Sequence, residues 1–166
     1  MVCRVYPVDP SQDDSMTSTR NADTSGSDLK KAGLKATLPR LKILNILEAA
    51  RHPHMTAEEV YKELLNMGEE VGLATVYRVL TQFESAGLVI RHNFEGGRSV
   101  FEVNQGSHHD HMVCMECGQV FEFYDAAIEE RQRKIAEKAG FHVDEHALYL
   151  YGVCEGMKKH GKCSKK

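Results

Sequence analysis

The stretch Ser107–Cys117, SHHDHMVCMEC, holds five His or Cys residues and an Asp within eleven positions. Side chains of an extended segment alternate faces with a period of two. His109 and His111 therefore face one way, and His108 and Asp110 the other. One ion could hardly take all four, so two sites are implied, each completed from elsewhere. His54, Glu102, Glu129 and His146 are the available donors. Imidazole and carboxylate without sulfur suit Fe(II), Mn(II) or Zn(II) in an exchangeable site, as a sensor requires. Cys114 and Cys117 differ in kind. Their C-x-x-C spacing lets two thiolates share one tetrahedral ion, and Cys154 and Cys163 downstream would make four sulfur ligands for a structural Zn2+. The competing readings of C-x-x-C are a redox pair or two buried core thiols. The company of His and further Cys favours zinc. His52, His92, His142 and His160 are read as solvated or core histidines.

The rest of the chain narrows the setting. No apolar run approaches the roughly 20 residues of a membrane helix, and the N-terminus MVCRVYPVDPSQDD lacks the apolar stretch of a secretory signal. An unexported protein keeps its cysteines reduced, and five cysteines leave one over from any full pairing. Net charge is −3, so no global basic field marks a nucleic-acid binder. The charge is uneven, however: residues 1–28 carry net −3, residues 29–104 net +1, and residues 105–166 net −1. Any anionic partner must be read locally.

The elements that must position these donors follow from periodicity. Residues 1–28, rich in Asp, Ser and Thr, read as a disordered extension, with Met16 as a conceivable internal start. LKKAGLKA reads as a short basic helix. TLPRLKILNILEAA spaces Leu38, Leu41, Leu44 and Leu47 by three, behind Thr37 and Pro39 as helix-start chemistry. TAEEVYKELLNMG begins with Thr56 and Glu59 in capping-box spacing, lines Val60, Leu64 and Met67 on one face, and stops at Gly68. In GLATVYRVLTQFESAG the stripe is Val76, Val79, Leu80 and Phe83. A hairpin follows, LVIRH and VFEV around NFEGGRS. Helices ending in a helix-turn-helix and then a hairpin are the plan of a winged helix. After Val103 the composition shifts to two strands around Gly118, a charged helix with Ile128, Ile135 and Ala139 inward, a last strand HALYLYGVC, and a basic tail. The fold class is α+β: an extension over 1–28, a winged-helix domain with hinge over 29–104, and a small α/β domain over 105–166.

Removing the buried stripe from the third helix of the winged helix leaves Thr75, Tyr77, Arg78, Thr81 and Gln82 facing out. Arg forks onto guanine, Gln pairs with adenine, and Thr or Tyr meets a thymine methyl or a phosphate. The second helix of a helix-turn-helix enters the major groove N-terminal end first. Lys35, Arg40 and Arg91 on neighbouring elements suit phosphates. A solvated amphipathic helix, or a winged helix used only for protein contacts, are the bland alternatives.

The stretches LKKAGLKATLPRLKIL, MGEEVGLATVYRVLTQFESAGL, RHNFEGGRSVFEV, HHDHMVCMECG and LYLYG together resemble the bacterial ferric uptake regulator family, across roughly residues 29–154. The likeness is greater to its iron-responsive members than to its zinc, nickel, manganese or peroxide sensors. The resemblance implies a cytoplasmic homodimer with no membrane or small-molecule substrate, in which Fe(II) as corepressor drives binding to palindromic AT-rich operators of iron-uptake genes. It implies a regulatory hinge site at His54, Glu102, His109 and His111. It places a second site at His108, Asp110, Glu129 and His146, and a structural zinc that begins with Cys114 and Cys117. It matches the recognition helix to Ala74–Gln82, with Tyr77 and Arg78 on DNA.

The chain departs from the family in its acidic extension, in Ser107 where many members have a further His, and in Cys154-x8-Cys163. That spacing is longer than usual, which makes Cys154 the firmer ligand of the two. Three rival functions remain in view. A zinc deaminase would need H-x-E and P-C-x-x-C, but Val113 precedes Cys114 and no H-x-E occurs. A zinc- or manganese-responsive regulator on the same scaffold has the same ligand types. An interaction-only winged helix would bind no duplex.

Overall fold

The computed structural model describes residues 22–95 and 97–163. These fall into two compact units, one ending at Gln105 and one beginning at Gly106.

Four helices open the first unit: α1 (Ala22–Lys31), α2 (Leu38–Ala49), α3 (Ala57–Asn66) and α4 (Leu73–Ser85). Residues 22–28, expected within the disordered extension, instead begin α1; the remainder of that stretch, with Met16, lies outside the described residues. The sequence ADTSGSD has poor helix propensity, and packing overrides it. Leu29 is fully buried, and the buried Ser25 hydroxyl reaches Asn45 Oδ1 at 2.6 Å and Glu48 Oε2 at 3.0 Å. The helix expected over residues 29–36 ends early because Gly33 takes φ 73°. Its N–H and that of Leu34 then close back onto Lys30 and Leu29, a left-handed stop that favours glycine.

Helix α3 carries the expected capping box. Thr56 Oγ1 accepts from the Glu59 N–H at 3.1 Å, and Glu59 Oε2 accepts from the Thr56 N–H at 2.8 Å. It stops at Gly68, φ 74°, with the Glu69 N–H bonded to the Leu64 carbonyl. Ala57, Val60 and Leu64 form its buried face; Met67, expected with them, is 58% exposed because the helix has already turned out. In α4 the buried stripe is Val76, Val79, Leu80 and Phe83, as its spacing predicts. Strands β1 (Val89–Phe94) and β2 (Arg98–Val103) pair antiparallel from Val89↔Val103 to Phe94↔Arg98. One continuous apolar core joins α1–α4 to this hairpin, with Phe83 and Phe101 its largest fully buried side chains. Each such ring stabilises the unit by roughly 1.5–3 kcal/mol relative to exposure.

The second unit is a three-stranded sheet in the order β4-β3-β5. Strands β3 (Asp110–Cys114) and β4 (Val120–Phe123) are antiparallel; β5 (Tyr149–Gly152) runs parallel to β3 and returns through helix α5 (Ala126–Lys138). Asp125 caps α5 by accepting from the N–H groups of Ala127 and Ile128. No residue of α5 is buried, and Ile135, expected inward, is 58% exposed. The expected basic tail begins instead as a helix, α6 (Glu155–His160). Its acid lies in the first turn and Lys158, Lys159 and His160 in the last, which complements the helix dipole.

Candidate metal centres and nucleic-acid face

In the first unit a two-way backbone bridge sets the donors. The Met55 N–H donates to the Phe101 carbonyl at 3.0 Å, and the Phe101 N–H to the Met55 carbonyl at 2.8 Å. That bridge puts His54 beside Glu102, and His54 Nε2 stands 2.8 Å from Glu102 Oε2, both side chains nearly fully buried. Buried charge is tolerated only where it is paired or ligates a metal. His92, read from sequence as a solvated or core histidine, is buried and places Nε2 3.0 Å from the other oxygen, Oε1.

In the second unit the alternation predicted for SHHDH sorts the side chains. The rings of His109 and His111 have centroids 4.8 Å apart, and those of His108 and His146 4.2 Å apart. Glu122, which sequence reasoning missed, lies opposite His111 in the β3–β4 register, with Oε1 4.0 Å from His109 Nε2. The available signal was strand pairing across Gly118, since a residue opposite a candidate ligand shares its face.

Donor atoms of His108, Asp110, Glu129 and His146 all lie within 4.8 Å of one another. Asp110 is fully buried, and its Oδ1 takes the Leu148 N–H at 3.2 Å. Its Oδ2, Glu129 Oε1 and His146 Nε2 are buried and make no hydrogen bond, though His146 Nε2 stands 3.2 Å from Glu129 Oε2 and His108 Nε2 3.4 Å from Glu129 Oε1. Buried polar atoms are otherwise almost always satisfied, so convergent unsatisfied donors of this chemistry fit a cation.

Cys114, Cys117 and Cys154 form a third group. Cys117 Sγ and Cys154 Sγ are 4.0 Å apart, and the Cys154 N–H donates to Cys114 Sγ at 3.3 Å. The Cys163 thiol lies outside that group but close enough to raise the pKa of both Cys117 and Cys154. The intervening α6, closed by Gly161, shortens the long Cys154-x8-Cys163 spacing into one return of the chain. Burial pushes the Cys114 thiol up, but N–H donors from Cys154, Cys117 and Glu116 and the Cys117 thiol bring it down to about 6. Burial, reinforced by neighbouring thiols and opposed by a Gln119 N–H, carries Cys117 to about 12. A dication reverses that resistance, because a coordinated thiol is deprotonated outright.

On α4 the side chains of Tyr77, Arg78 and Thr81 are exposed, and those of Thr75 and Gln82 half-buried. Two neighbours hold this face. Glu58 accepts from the Tyr77 hydroxyl, a hydrogen bond that raises the phenol above its ordinary value. Arg40 donates to Gln82 Oε1 from both Nε and Nη2, and to the Lys35 carbonyl at 2.8 Å. Lys35 is exposed. Arg91, expected on a phosphate, pairs with Glu84 at 3.4 Å and lies 4.9 Å over the Phe101 ring. A guanidinium at that distance gains a cation–π contact. Among the described residues no helix is long and apolar enough to cross a membrane.

Comparison with known proteins then places the chain. The family model described as Ferric uptake regulator family matches residues 31–151. The ferric uptake regulation protein of Legionella pneumophila is 67% identical over 126 residues, covering 76% of this chain and 93% of that protein. Among solved structures, the Vibrio cholerae ferric uptake regulator superposes with a TM-score of 0.74 at 58% identity, covering 78% of this chain and 98% of its own. The Pseudomonas aeruginosa regulator, solved with manganese, gives 0.68 at 57% identity, with 79% and 98% covered.

Proposed function

The chain belongs to the ferric uptake regulator family, and as such is an iron-responsive, metal-dependent transcriptional repressor and not an enzyme; from that premise we propose which residues carry the regulation. Zn2+ serves the structural role and Fe2+ the regulatory one. Cys114, Cys117, Cys154 and Cys163 hold the zinc. His54 and Glu102 from the winged-helix unit, with His109 and His111 from the second unit, make the regulatory set. His108, Asp110, Glu129 and His146 make the second site.

The buried pairing of His54 with Glu102 carries the reading. Two ligand-type side chains are fixed in the interior of the winged-helix unit, and in the second unit His109 and His111 stand ring to ring. A bound dication supplies a charge that all four donors can satisfy at once. The four residues then tie the two units together, which selects the arrangement in which both recognition helices of a dimer reach successive major grooves. Metal and operator affinities are linked reciprocally, typically by about 1–3 kcal/mol.

Thr75, Tyr77 and Arg78 read the palindromic AT-rich operator of iron-uptake genes, and Lys35 steadies it by a phosphate. Arg91 joins them only by leaving Glu84. A second copy covers the apolar side chains left exposed in the second unit, Met112, Leu150 and Val153 among them. The working compartment is the cytoplasm, where the operator is.

Anaerobic fluorescence anisotropy on an AT-rich palindromic duplex tests this, with Fe(II), Mn(II), Zn(II) or chelator. The expected outcome is tight binding with Fe(II) or Mn(II), lost on chelation and lost in the His109→Ala/His111→Ala double variant while the dimer persists. Metal-dependent binding by that variant would overturn the regulatory assignment. Binding that requires Zn(II) alone would replace iron with zinc as the effector.

A further inference from the structure

His92 is the one buried histidine of the winged-helix unit to which the regulatory reading gives no role. It lies on β1, paired across the ladder with Val100, so Glu102 two residues further along β2 is its diagonal neighbour. Long side chains bridge that diagonal. His92 Nε2 is 3.0 Å from Glu102 Oε1, while His54 Nε2 is 2.8 Å from Oε2. The two histidines thus take opposite oxygens of one carboxylate. An ionised carboxylate only accepts, so His92 donates, with its proton on Nε2. The His92 ring also lies flat against Phe94, with centroids 5.9 Å and planes 7° apart. That stack fixes the ring plane independently of Glu102.

Resting on the proposal that Glu102 is a regulatory ligand, we propose that His92 is a positioning residue for it: by holding Oε1 it aims Oε2 toward the side where His54 stands. A glutamate that must find its rotamer on binding loses affinity relative to one already aimed, and partners of metal-binding carboxylates typically contribute 10–100-fold to metal affinity. His92 also belongs to strand β1, which runs on through Phe94 toward the turn residue Glu95. The hydrogen bond therefore ties the turn-bearing strand of the hairpin to the metal ligand.

The test uses the full chain with its zinc in place, titrated anaerobically with Co(II) and Mn(II). His92→Phe keeps a ring against Phe94 and removes the donor; His92→Gln keeps an N–H near the position of Nε2. The expected result is a 10–100-fold weaker Mn(II) and Co(II) affinity for His92→Phe, recovery to within a few-fold of the parent in His92→Gln, and an unchanged zinc content. The Co(II) d–d spectrum of His92→Gln should match the parent. A merely structural role would lower the melting temperature of the winged-helix unit in His92→Phe without moving the metal affinity, and that result overturns the proposal. Equal weakening in both variants with an altered Co(II) spectrum overturns it too, by making His92 a ligand. Should His92→Phe not fold, His92→Leu takes its place. Glu102→Gln separates the two layers: if it binds Mn(II) like the parent, the regulatory reading has failed, whereas a loss there with parental binding in His92→Phe refutes only the positioning role.

Discussion

The two units of this chain are held together by different physics. The winged-helix unit buries a continuous apolar core, from Leu29 through Phe83 to Phe101. In the second unit the buried side chains include Asp110, His111, Val113 and Cys114 on one short strand, while Met112, Ile135, Phe141, Val143, Leu150 and Val153 are exposed. Small domains that cannot bury enough apolar surface are usually completed by metals or by oligomerisation. Under the proposed function, the donor groups of the second unit would serve the first and its exposed apolar residues the second. One unit therefore closes its own apolar core, while the other leaves apolar side chains exposed and clusters ligand-type groups.

Removing the thiolates should break that contrast most sharply. If Cys114 and Cys117 hold the zinc as proposed, Cys114→Ser/Cys117→Ser should lose it, and structural zinc contributes about 10–16 kcal/mol in small domains. Hydrogen exchange should show β3, β4 and β5 losing protection while α2, α3 and α4 keep theirs. Equal protection in both units would show that the sheet stands without zinc. Phe83→Ala makes the opposite cut. A fully buried phenylalanine truncated to alanine costs about 3–5 kcal/mol, read by denaturant unfolding of the winged-helix unit, with zinc stoichiometry unchanged. Leu150→Asp, on edge strand β5 at a residue 45% exposed, should leave the isolated fold intact and weaken self-association by roughly 2 kcal/mol or more. Sedimentation at graded concentrations measures it, and a parental dimer would show that this face is not the one covered.

The same contrast explains what could be read in the sequence. The stripe of α4, the capping box at Thr56 and the hairpin were legible because local spacing and the native core agree there. The sorting of His109 and His111 from His108 and Asp110 was legible because strand alternation is strict; that His146 stands beside His108 was implied by the family resemblance alone. Ile135 was misread because an amphipathic pattern marks a face to be covered without saying whether the cover lies in the same chain. The start of α1 was hidden by ADTSGSD, whose helix depends on tertiary burial of Ser25 and Leu29. Glu122 was missed because it meets His109 through strand register, which a linear spacing does not carry; the same register sets His92, read as a solvated or core histidine and found buried, beside Glu102. α6 was too short for any periodic signal, yet it is what returns Cys163 to Cys117 and Cys154.

The smallest expected effect sharpens the comparison most finely. Thr56 caps α3 two residues after His54, so it belongs at once to the winged-helix core and to the approach to a proposed metal ligand. Thr56→Ala removes the oxygen that takes the Glu59 N–H, which costs about 0.5–2 kcal/mol. For a unit of this size that is a fall of about 4–8 °C per kcal/mol in Tm. His54 is fixed separately, by the backbone bridge between Met55 and Phe101 and by its contact with Glu102. The expected outcome is therefore a lowered melting temperature for the winged-helix unit with Mn(II) affinity within a few-fold of the parent. A drop in metal affinity as large as that of a ligand variant would mean that the cap, and not the strand bridge, sets His54, and that the metal site depends on the same local helix energetics as the core.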